Sequence, residues 1–430
     1  MDKFISRLIK IASCLVLIFL LLCGFASCSS DSDGYIKVPE KSENHEPYAP
    51  YYADSIILEL REKSGMDNLF AIELFKTTYR QSEDVNVFVS PLSMNMAFSM
   101  VLNGAKGNTL EEIKTVLKSK NYSLDDINKY NKSLREAFKA VDTLTTLSMV
   151  NSIWCHNTLT VQNGFLSASK GAYDAEVKAL DFNSPDAVSQ INDWVSEQTN
   201  NKIPWIIKEV SPENKLFIIN TLYLRSGWAD KFDKNKTSKE DFYSEESVSM
   251  GKVNMMIQNT YCVYSDDENC RYLNMRYGNW AFSMILMLPH EGKTVDDVIL
   301  NLDIKSWNTA MEKGTLECIR LHLPRFKAEC SYDMHEFILP KMGMELPFSE
   351  KADFTGLIKE QPLKISRIIH KAYINIDEEG TEAAASSIVE VLDGGPMVFH
   401  DYIVNKPFAF AIRENSTGII LFMGKIGSVN

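Results

Sequence analysis

The sequence lacks the residue patterns that mark most enzymes and metal proteins. It contains no G-x-S-x-G elbow, no H-E-x-x-H pair and no phosphate-binding glycine loop. Its eight cysteines include no C-x-x-C pair, so neither a metal site nor a cofactor is predicted. Because every expected catalytic context is missing, the sequence predicts that the chain is not an enzyme and has no catalytic residues.

Positive charge is scarce as well. Lysine and arginine number 45 against 57 aspartates and glutamates, which gives a net charge of -12. Residues 1–27 carry +2, from Asp2 against Lys3, Arg7 and Lys10, so the rest of the chain has a net charge near -14. This acidic balance excludes nucleic acid as a partner.

Internal linkers are missing beyond residue 62. No proline-, glycine- or serine-rich stretch and no repeat divides the remainder of the 430-residue chain. Hydrophobic residues make up 45% of the sequence, which is enough to bury a sizeable core. The sequence therefore predicts a single large domain, and we expect a monomer.

The N-terminal apolar run, residues 11–23, is too short to span a bilayer comfortably as a mature helix, and it follows three basic residues. The residues Phe25-Ala26-Ser27-Cys28 resemble a bacterial lipoprotein signal, in which cleavage precedes a cysteine that is then lipidated. We expect a signal peptide at 1–27, the lipidated Cys28 and a polar tether at 28–62, and the folded domain at 63–430. The alternative is a plain secretory peptide in which Cys28 is incidental.

The lipoprotein interpretation places the protein in the cell envelope. The membrane would be a partner through the lipid anchor at Cys28, since acyl chains give stable attachment. We expect an outer-membrane lipoprotein that faces the periplasm or the cell surface, and a secreted protein if the anchor is missing.

Near the C-terminus, residues 377–395 read DEEGTEAAASSIVEVLDGG. Odd positions from Thr381 to Val391 are small or apolar, which is the period-2 pattern of a strand with one buried face. The segment upstream, from His370 to Ile376, alternates in the same way, so Gly380 is a pivot between two strand-competent segments. Small residues beyond the pivot suit a segment that slides between two existing strands, because large side chains would clash during entry.

At these residues the sequence resembles the proximal hinge of the serpins, which reads close to E-E-G-T-E-A-A-A. The hinge residues here are Glu378, Glu379, Gly380, Thr381, Glu382, Ala383, Ala384 and Ala385. Other segments resemble the same family in the same order, among them NVFVSPLS at 86–93, FSEKADFTGL at 348–357 and NKPF at 405–408. The resemblance covers the chain from about residue 63 to the C-terminus.

The resemblance implies a buried cluster of Ser90, Ser93, Asn220 and His370 beneath the main sheet, where its central strands separate. It also implies that Trp228 lies where the loop first enters the sheet. A hydrolase built on Ser90, Ser93 and His370 is rejected. Ser90 precedes Pro91 as the N-cap of a helix, and strand parity turns His370 to the underside of the sheet.

The implied fold is α+β: the serpin fold of three β-sheets, about nine helices and an exposed reactive-centre loop. The implied function is protease inhibition by a suicide-substrate mechanism. Serine proteases first, and cysteine proteases second, would form an acyl-enzyme with the cut loop, which inserts into the central sheet. The alternative is a non-inhibitory serpin-fold binding or structural module on the envelope; the small residues after Gly380 favour inhibition.

The reactive bond is expected near the end of the alternating segment. The usual serpin spacing from Gly380 places the acyl-side residue at Gly394 and the cut before Gly395. The alternation stops at Asp393, so cleavage after Leu392 or Asp393 is the alternative. No lysine or arginine lies between Lys371 and Lys406, which favours elastase-like targets first and aspartate-selective targets second.

Two further cysteines leave a choice open. Cys262 and Cys270 could pair in an oxidising envelope, although isolated buried thiols are the favoured interpretation.

Overall fold

Eight α-helices and fifteen β-strands occur in the part of the chain that the structure describes. The structure is a computed structural model, and it describes residues 54–142, 144–211, 213–359, 362–381 and 399–429. All of these residues belong to one compact unit, Val38–Asn430.

The helices are α1 (Asp54–Gln81), α2 (Pro91–Val101), α3 (Gly107–Val116), α4 (Leu124–Ala140), α5 (Asn163–Tyr173), α6 (Ala187–Gln198), α7 (Val295–Asn301) and α8 (Ile304–Glu312). The strands are β1 (Val87–Val89), β2 (Thr146–His156), β3 (Glu176–Leu180), β4 (Leu216–Gly227), β5 (Ser238–Tyr243), β6 (Ser249–Asp266), β7 (Cys270–Tyr277), β8 (Phe282–Pro289), β9 (Thr315–Pro324), β10 (Phe326–Asp333), β11 (Arg367–Asp377), β12 (Gly380–Thr381), β13 (His400–Ile403), β14 (Phe408–Glu414) and β15 (Ile420–Ile426).

Helix α1 begins earlier than the sequence indicated. The sequence predicts a polar tether up to residue 62, but α1 starts at Asp54, and Leu60 is buried in the same apolar cluster as Phe88 and Leu92. Burial of an apolar side chain stabilises the extra turns, which propensity and polarity alone did not predict.

Helix α2 is a fully buried helix whose start the sequence predicts correctly. Ser90 adopts an extended conformation, its side chain accepts a hydrogen bond from the Ser93 amide, and Pro91 occupies the first helical position. All eleven residues of α2 are buried, so the helix packs on every side and places Ser90 and Ser93 inside the molecule.

The strands form two hydrogen-bonded networks. One is a six-stranded sheet with the order β10-β11-β12-β4-β2-β3. The other has nine strands in the order β1-β15-β14-β8-β7-β6-β9-β13, with β5 on β6. The resemblance implied three sheets. Two of these implied sheets are joined in the nine-stranded network. The 18-residue β6 joins them, because it pairs with β5 and β9 over most of its length and with β7 only at its end.

The six-stranded sheet is covered on both faces. Its inner face contributes Ala372, Ile374 and Ile376 to a buried cluster shared with the nine-stranded sheet. Its outer face contributes Phe217, Ile219 and Ile369 to a second cluster beneath α6. Burial on both faces specifies the register of the strands, so the residue pairs between neighbouring strands are well defined.

The favoured interpretation of the two cysteines is confirmed. Cys262 and Cys270 are both buried free thiols, and burial raises the pKa of each. A thiol that resists ionisation in this way is a packing residue and a poor nucleophile.

Candidate functional site

The candidate site is the seam between β4 and β11, the two long central strands of the six-stranded sheet. In the first part of the seam the two strands are parallel and pair directly. The pairing runs from Phe217 opposite Arg367 to Leu222 opposite Ala372. These pairs close the sheet beneath α6.

Further along the seam the short strand β12 lies between its neighbours. It is antiparallel to both β11 and β4. Gly380 pairs with Asp377 and Gly227, and Thr381 pairs with Ile376 and Ser226. The first two residues after the hinge glutamates are therefore already in place as the start of a new central strand.

Gly380 occupies a backbone conformation that requires glycine. Its φ angle is +140°, a region that residues with a side chain rarely adopt. A Cβ atom built there would lie 2.3 Å from the Ser226 carbonyl oxygen and 2.7 Å from the Gly227 Cα. Because the backbone of Gly380 approaches that of β4 so closely, the pivot position requires glycine.

Glu378 is a buried carboxylate with an arginine partner. Its side chain is 1% exposed and accepts hydrogen bonds from Arg325 Nε at 2.8 Å and Nη2 at 2.6 Å. Thr237 Oγ1 donates to the same oxygen. Burial alone would raise the pKa of Glu378, but the bonds from Arg325 and Thr237 outweigh it and lower the pKa. Glu378 is therefore a charged anchor at the top of β10 and β11.

Glu379 is held by two lysines from the segment that follows β4. Lys231 Nζ lies 2.8 Å and Lys234 Nζ 2.9 Å from its carboxylate. The hydrogen bond from Lys231 and then that from Lys234 lower the pKa of Glu379. The backbone is fixed too, because the Trp228 amide donates to the Glu379 carbonyl and the Phe232 amide to that of Glu378.

Thr381 turns inward onto an aromatic pair. Its hydroxyl lies 2.8 Å from the Tyr277 hydroxyl, and both residues are buried. The Trp228 ring stacks on the Tyr277 ring at 4.4 Å, and Trp228 Nε1 donates to the Asp377 carbonyl at 2.9 Å. A small polar side chain is the only kind that this pocket receives without loss of packing.

The direct pairing of β4 with β11 ends before β12 begins. Its last pair is Leu222 with Ala372, and the pairs with β12 involve Ser226 and Gly227 of β4 and Ile376 and Asp377 of β11. A polar cavity of about 560 Å³ lies beside this segment, lined by Thr146, Asn200, Lys202, Tyr223, Arg225 and Asn375.

Beneath the paired part of the seam the structure brings together Ser90, Ser93, Asn220 and His370. The Ser90 amide donates to His370 Nε2 at 2.9 Å, so the ring carries its proton on Nδ1, 3.4 Å from Asn220 Oδ1. Ser93 Oγ donates to Asn220 Oδ1, and Asn220 Nδ2 donates to the Ser93 carbonyl and to Asn151 Oδ1. This cluster ties β4 and β11 to α2 on the side opposite α6.

The cluster has no catalytic geometry. Ser90 Oγ donates to the Leu421 carbonyl, and both Ser90 and His370 are fully buried. Burial lowers the pKa of His370 to about 3, so the ring is neutral at physiological pH. A satisfied, inaccessible serine and a neutral histidine lock two strands together and do not act on a substrate.

Several residues predicted for the site lie outside the described residues. They are the second half of the hinge (Glu382, Ala383, Ala384, Ala385), the residues around the reactive bond (Leu392, Asp393, Gly394, Gly395) and the lipid anchor Cys28.

Sequence reasoning missed the partners of the hinge. Arg325, Lys231 and Tyr277 come from three separate segments, and no spacing rule connects them to residues 378–381. The available signal for Arg325 was its place in Leu323-Pro324-Arg325-Phe326, where a basic residue follows proline at the end of a strand.

No group of three or more metal-ligating side chains occurs within the part of the chain that the structure describes. In those same ranges, every helix is too short or too polar to cross a membrane.

Comparison with known proteins yields a family relationship. The family model described as Serpin (serine protease inhibitor) matches residues 66–429. Serpin B4 of Homo sapiens is 32% identical over 389 residues, which cover 85% of this chain and 99% of that protein. Leukocyte elastase inhibitor of Sus scrofa is 31% identical over 381 residues, which cover 86% of this chain and 100% of that protein.

A solved structure is similar over the same range. Human thyroxine-binding globulin, determined in complex with thyroxine, has a TM-score of 0.80 and 28% sequence identity. The alignment covers 86% of this chain and 100% of that chain.

Proposed function

The chain belongs to the serpin family, and we propose that it is an inhibitory member that traps proteases by inserting its cleaved loop into the six-stranded sheet. The observation that carries this proposal is the double pairing of β12. Gly380 and Thr381 already occupy the seam between β4 and β11, where each pairs with a residue of both strands.

The reaction begins as ordinary proteolysis. The protease nucleophile attacks the carbonyl carbon of the acyl-side residue, the peptide C–N bond breaks, and the new amine takes up the proton. The acyl group stays on the enzyme. The loop, released at one end, extends β12 along the seam between β4 and β11, and the attached protease travels with it.

The chain's own residues would direct this movement. Arg325 and Lys231 hold the two hinge glutamates, so the fixed end of the loop stays at the top of β11 while the free end moves. The cluster of Ser90, Ser93, Asn220 and His370 holds the seam closed until the strand arrives. The intact form persists because of a kinetic barrier and is not the most stable arrangement.

The scissile bond is placed between Leu392 and Gly395, with an elastase-like target first and an aspartate-selective target second. The similarity to leukocyte elastase inhibitor supports this order. The experiment is incubation of the protein with trypsin, an elastase and an aspartate-selective protease, followed by denaturing electrophoresis and sequencing of the released N-terminus.

Hinge substitution provides the matched control. In Thr381→Arg a charge would be buried against Tyr277, so insertion should stall and the protein should be cleaved without forming a complex. Thr381→Ser keeps the hydroxyl and should inhibit like the wild type. A denaturation-stable complex formed equally well by Thr381→Arg would contradict the insertion mechanism.

A second candidate is a non-inhibitory binding module, and the similarity to thyroxine-binding globulin favours it. This alternative predicts that a protease cuts the loop of the wild-type protein without forming any stable complex.

The localisation proposal is an envelope lipoprotein anchored through Cys28. Cys28→Ala should release the protein from the membrane fraction or block its processing, because acyl chains provide the attachment. Wild-type and Cys28→Ala cells are fractionated in parallel, and unchanged membrane association of the variant would contradict the anchor.

A further inference from the structure

A cavity of about 590 Å³ opens at the surface where the end of α1, the turn between β5 and β6 (residues 244–248) and α7 meet. Three of its lining side chains are apolar and exposed: Val85 by 57%, Met250 by 49% and Leu300 by 38%. Eleven large hydrophobic side chains are exposed within the described residues, so more than a quarter of them meet at this one cavity. Exposed apolar side chains that gather in one concave place are typical of a binding site, whereas single ones scattered over a surface are not.

Hydrogen bonds between the segments that form the cavity fix its shape. The Tyr79 hydroxyl of α1 donates to the carboxylate of Asp296 in α7. The Val295 amide at the start of α7 donates to Glu245 of the turn between β5 and β6 at 3.0 Å, and the Val295 side chain is buried in the core. A cavity that is already formed needs little ordering when a ligand binds.

The rim of the cavity is acidic. Among the described residues, two cations line it, Arg80 and Lys425, against five carboxylates, which leaves a net charge of -3. The hydrogen bonds of the carboxylates come from neutral donors such as the Ser244 hydroxyl, which lies 2.8 Å from Glu246 Oε2, and none of the five is ion-paired with a lysine or arginine of the described chain. The five carboxylates are those of Glu83, Asp84, Glu245, Glu246 and Asp296.

We propose that this cavity binds a linear aliphatic polyamine, a ligand in which ammonium groups are separated by short methylene chains. The methylene chains would cover Val85, Met250 and Leu300, and the ammonium groups would reach the carboxylates of the rim. A ligand with about three positive charges balances the net charge of the site. The inference is independent of the proposed function, because it uses no residue of the seam or of the hinge.

The lining distinguishes this ligand from simpler cations. A divalent metal ion requires a compact set of oxygen ligands, and the described ranges contain no group of three or more metal-ligating side chains. A metal ion would also gain nothing from the exposed apolar side chains. A monoamine would cover those side chains but would leave most of the negative charge unbalanced.

The test is titration of the full-length protein with spermine, a tetraamine, by isothermal calorimetry at low ionic strength. Calcium chloride and hexylamine are titrated in parallel, because the first supplies charge without an apolar part and the second an apolar part with a single charge. We expect one spermine per chain and an affinity at least about tenfold above that of either other ligand. Spermine should also raise Tm, since a ligand that binds only the folded state stabilises it.

Glu246→Gln tests the charge of the rim. Glutamine keeps an acceptor oxygen for the Ser244 hydroxyl but removes the charge, so the affinity for spermine should fall about threefold. Glu291→Gln is the matched control, because Glu291 is also an exposed carboxylate, precedes α7 and does not line the cavity. It should change the affinity less than about twofold.

Met250→Ser tests the apolar part of the cavity. It removes a side chain that the methylene chains would cover, so the affinity for spermine should fall about fivefold. Val248→Ser is its matched control, since Val248 is even more exposed than Met250 but lies outside the cavity lining. All four positions are exposed, so the variants should fold like the wild type, and their Tm without ligand checks this.

The proposal stands if spermine binds more tightly than calcium and hexylamine and only the two cavity variants weaken it. Calcium that binds as tightly as spermine would overturn it, because the acidic rim alone would then explain binding. Hexylamine that binds as tightly would overturn it too, because charge balance would not matter. Equal losses in Glu246→Gln and Glu291→Gln would show that the overall negative charge of the chain attracts spermine, and the absence of any spermine binding would refute the site outright.

Discussion

His370 should make the stability of the protein fall between neutral and mildly acidic pH. Burial lowers its pKa from 6.5 to about 3 in the folded protein, whereas the ring of the unfolded chain titrates near 6.5. Between these values the unfolded state binds more protons than the folded state. The free energy of unfolding therefore decreases as pH falls, and the His370 contribution is complete only above about pH 6.5.

The magnitude follows from the size of the shift. One unit of pKa difference corresponds to about 1.4 kcal/mol. The free energy of unfolding should fall by about 2 kcal/mol from pH 7 to pH 5, and by about 3 kcal/mol from pH 7 to pH 4. These are large fractions of a typical total of about 5–15 kcal/mol. A charged ring could also no longer accept the hydrogen bond from the Ser90 amide.

The assay is urea unfolding of the intact protein between pH 7 and pH 4.5, for the wild type and for His370→Gln. Glutamine is neutral throughout this range. Carboxylates with lowered pKa values, such as Glu378 and Asp333, lose their contribution only at lower pH. The difference between the two profiles therefore isolates His370, and parallel profiles from pH 7 to pH 5 would refute the reasoning.

The hinge and the seam should respond to three further changes. Gly380→Val should displace β12 from the seam and reduce inhibition at least about tenfold, because its Cβ would meet the Ser226 carbonyl at a strained φ. The stoichiometry of inhibition measures this, and wild-type stoichiometry would contradict it. Arg325→Ala should lower the free energy of unfolding by about 1–3 kcal/mol, because the buried carboxylate of Glu378 would lose its arginine partner. Urea unfolding measures this change, and Arg325→Lys is the control. Cleavage between Leu392 and Gly395 should raise Tm by tens of degrees in calorimetry, and equal Tm values before and after the cut would contradict insertion.

The residues that could be predicted lie in contiguous segments with a local signal. Ser90 was located by its position before Pro91, and the burial of His370 by the alternation along β11. Gly380 was located as the pivot between two alternating segments. In each case the backbone of a single element decides where the side chain points, so spacing carries the information.

The rest depended on which elements become neighbours. Arg325 and Tyr277 meet the hinge because β10 begins and β7 ends beside it, and neither residue has an unusual local context. Lys371 of β11 donates to the Trp205 carbonyl because a strand and a loop that are distant in the chain pack against each other. The start of α1 at Asp54 was missed because burial of Leu60 is a tertiary effect.

The pairing of β12 with both of its neighbours gives insertion the character of a strand exchange. Six residue pairs join β4 directly to β11, and each residue that enters replaces one such link with two. The point at which β4, β11 and β12 meet would move along the sheet by one residue pair at a time. In the proposed mechanism every step would add hydrogen bonds, so this point would not travel back. Each molecule would then trap one protease, and the cell would have to synthesise a new copy for each encounter.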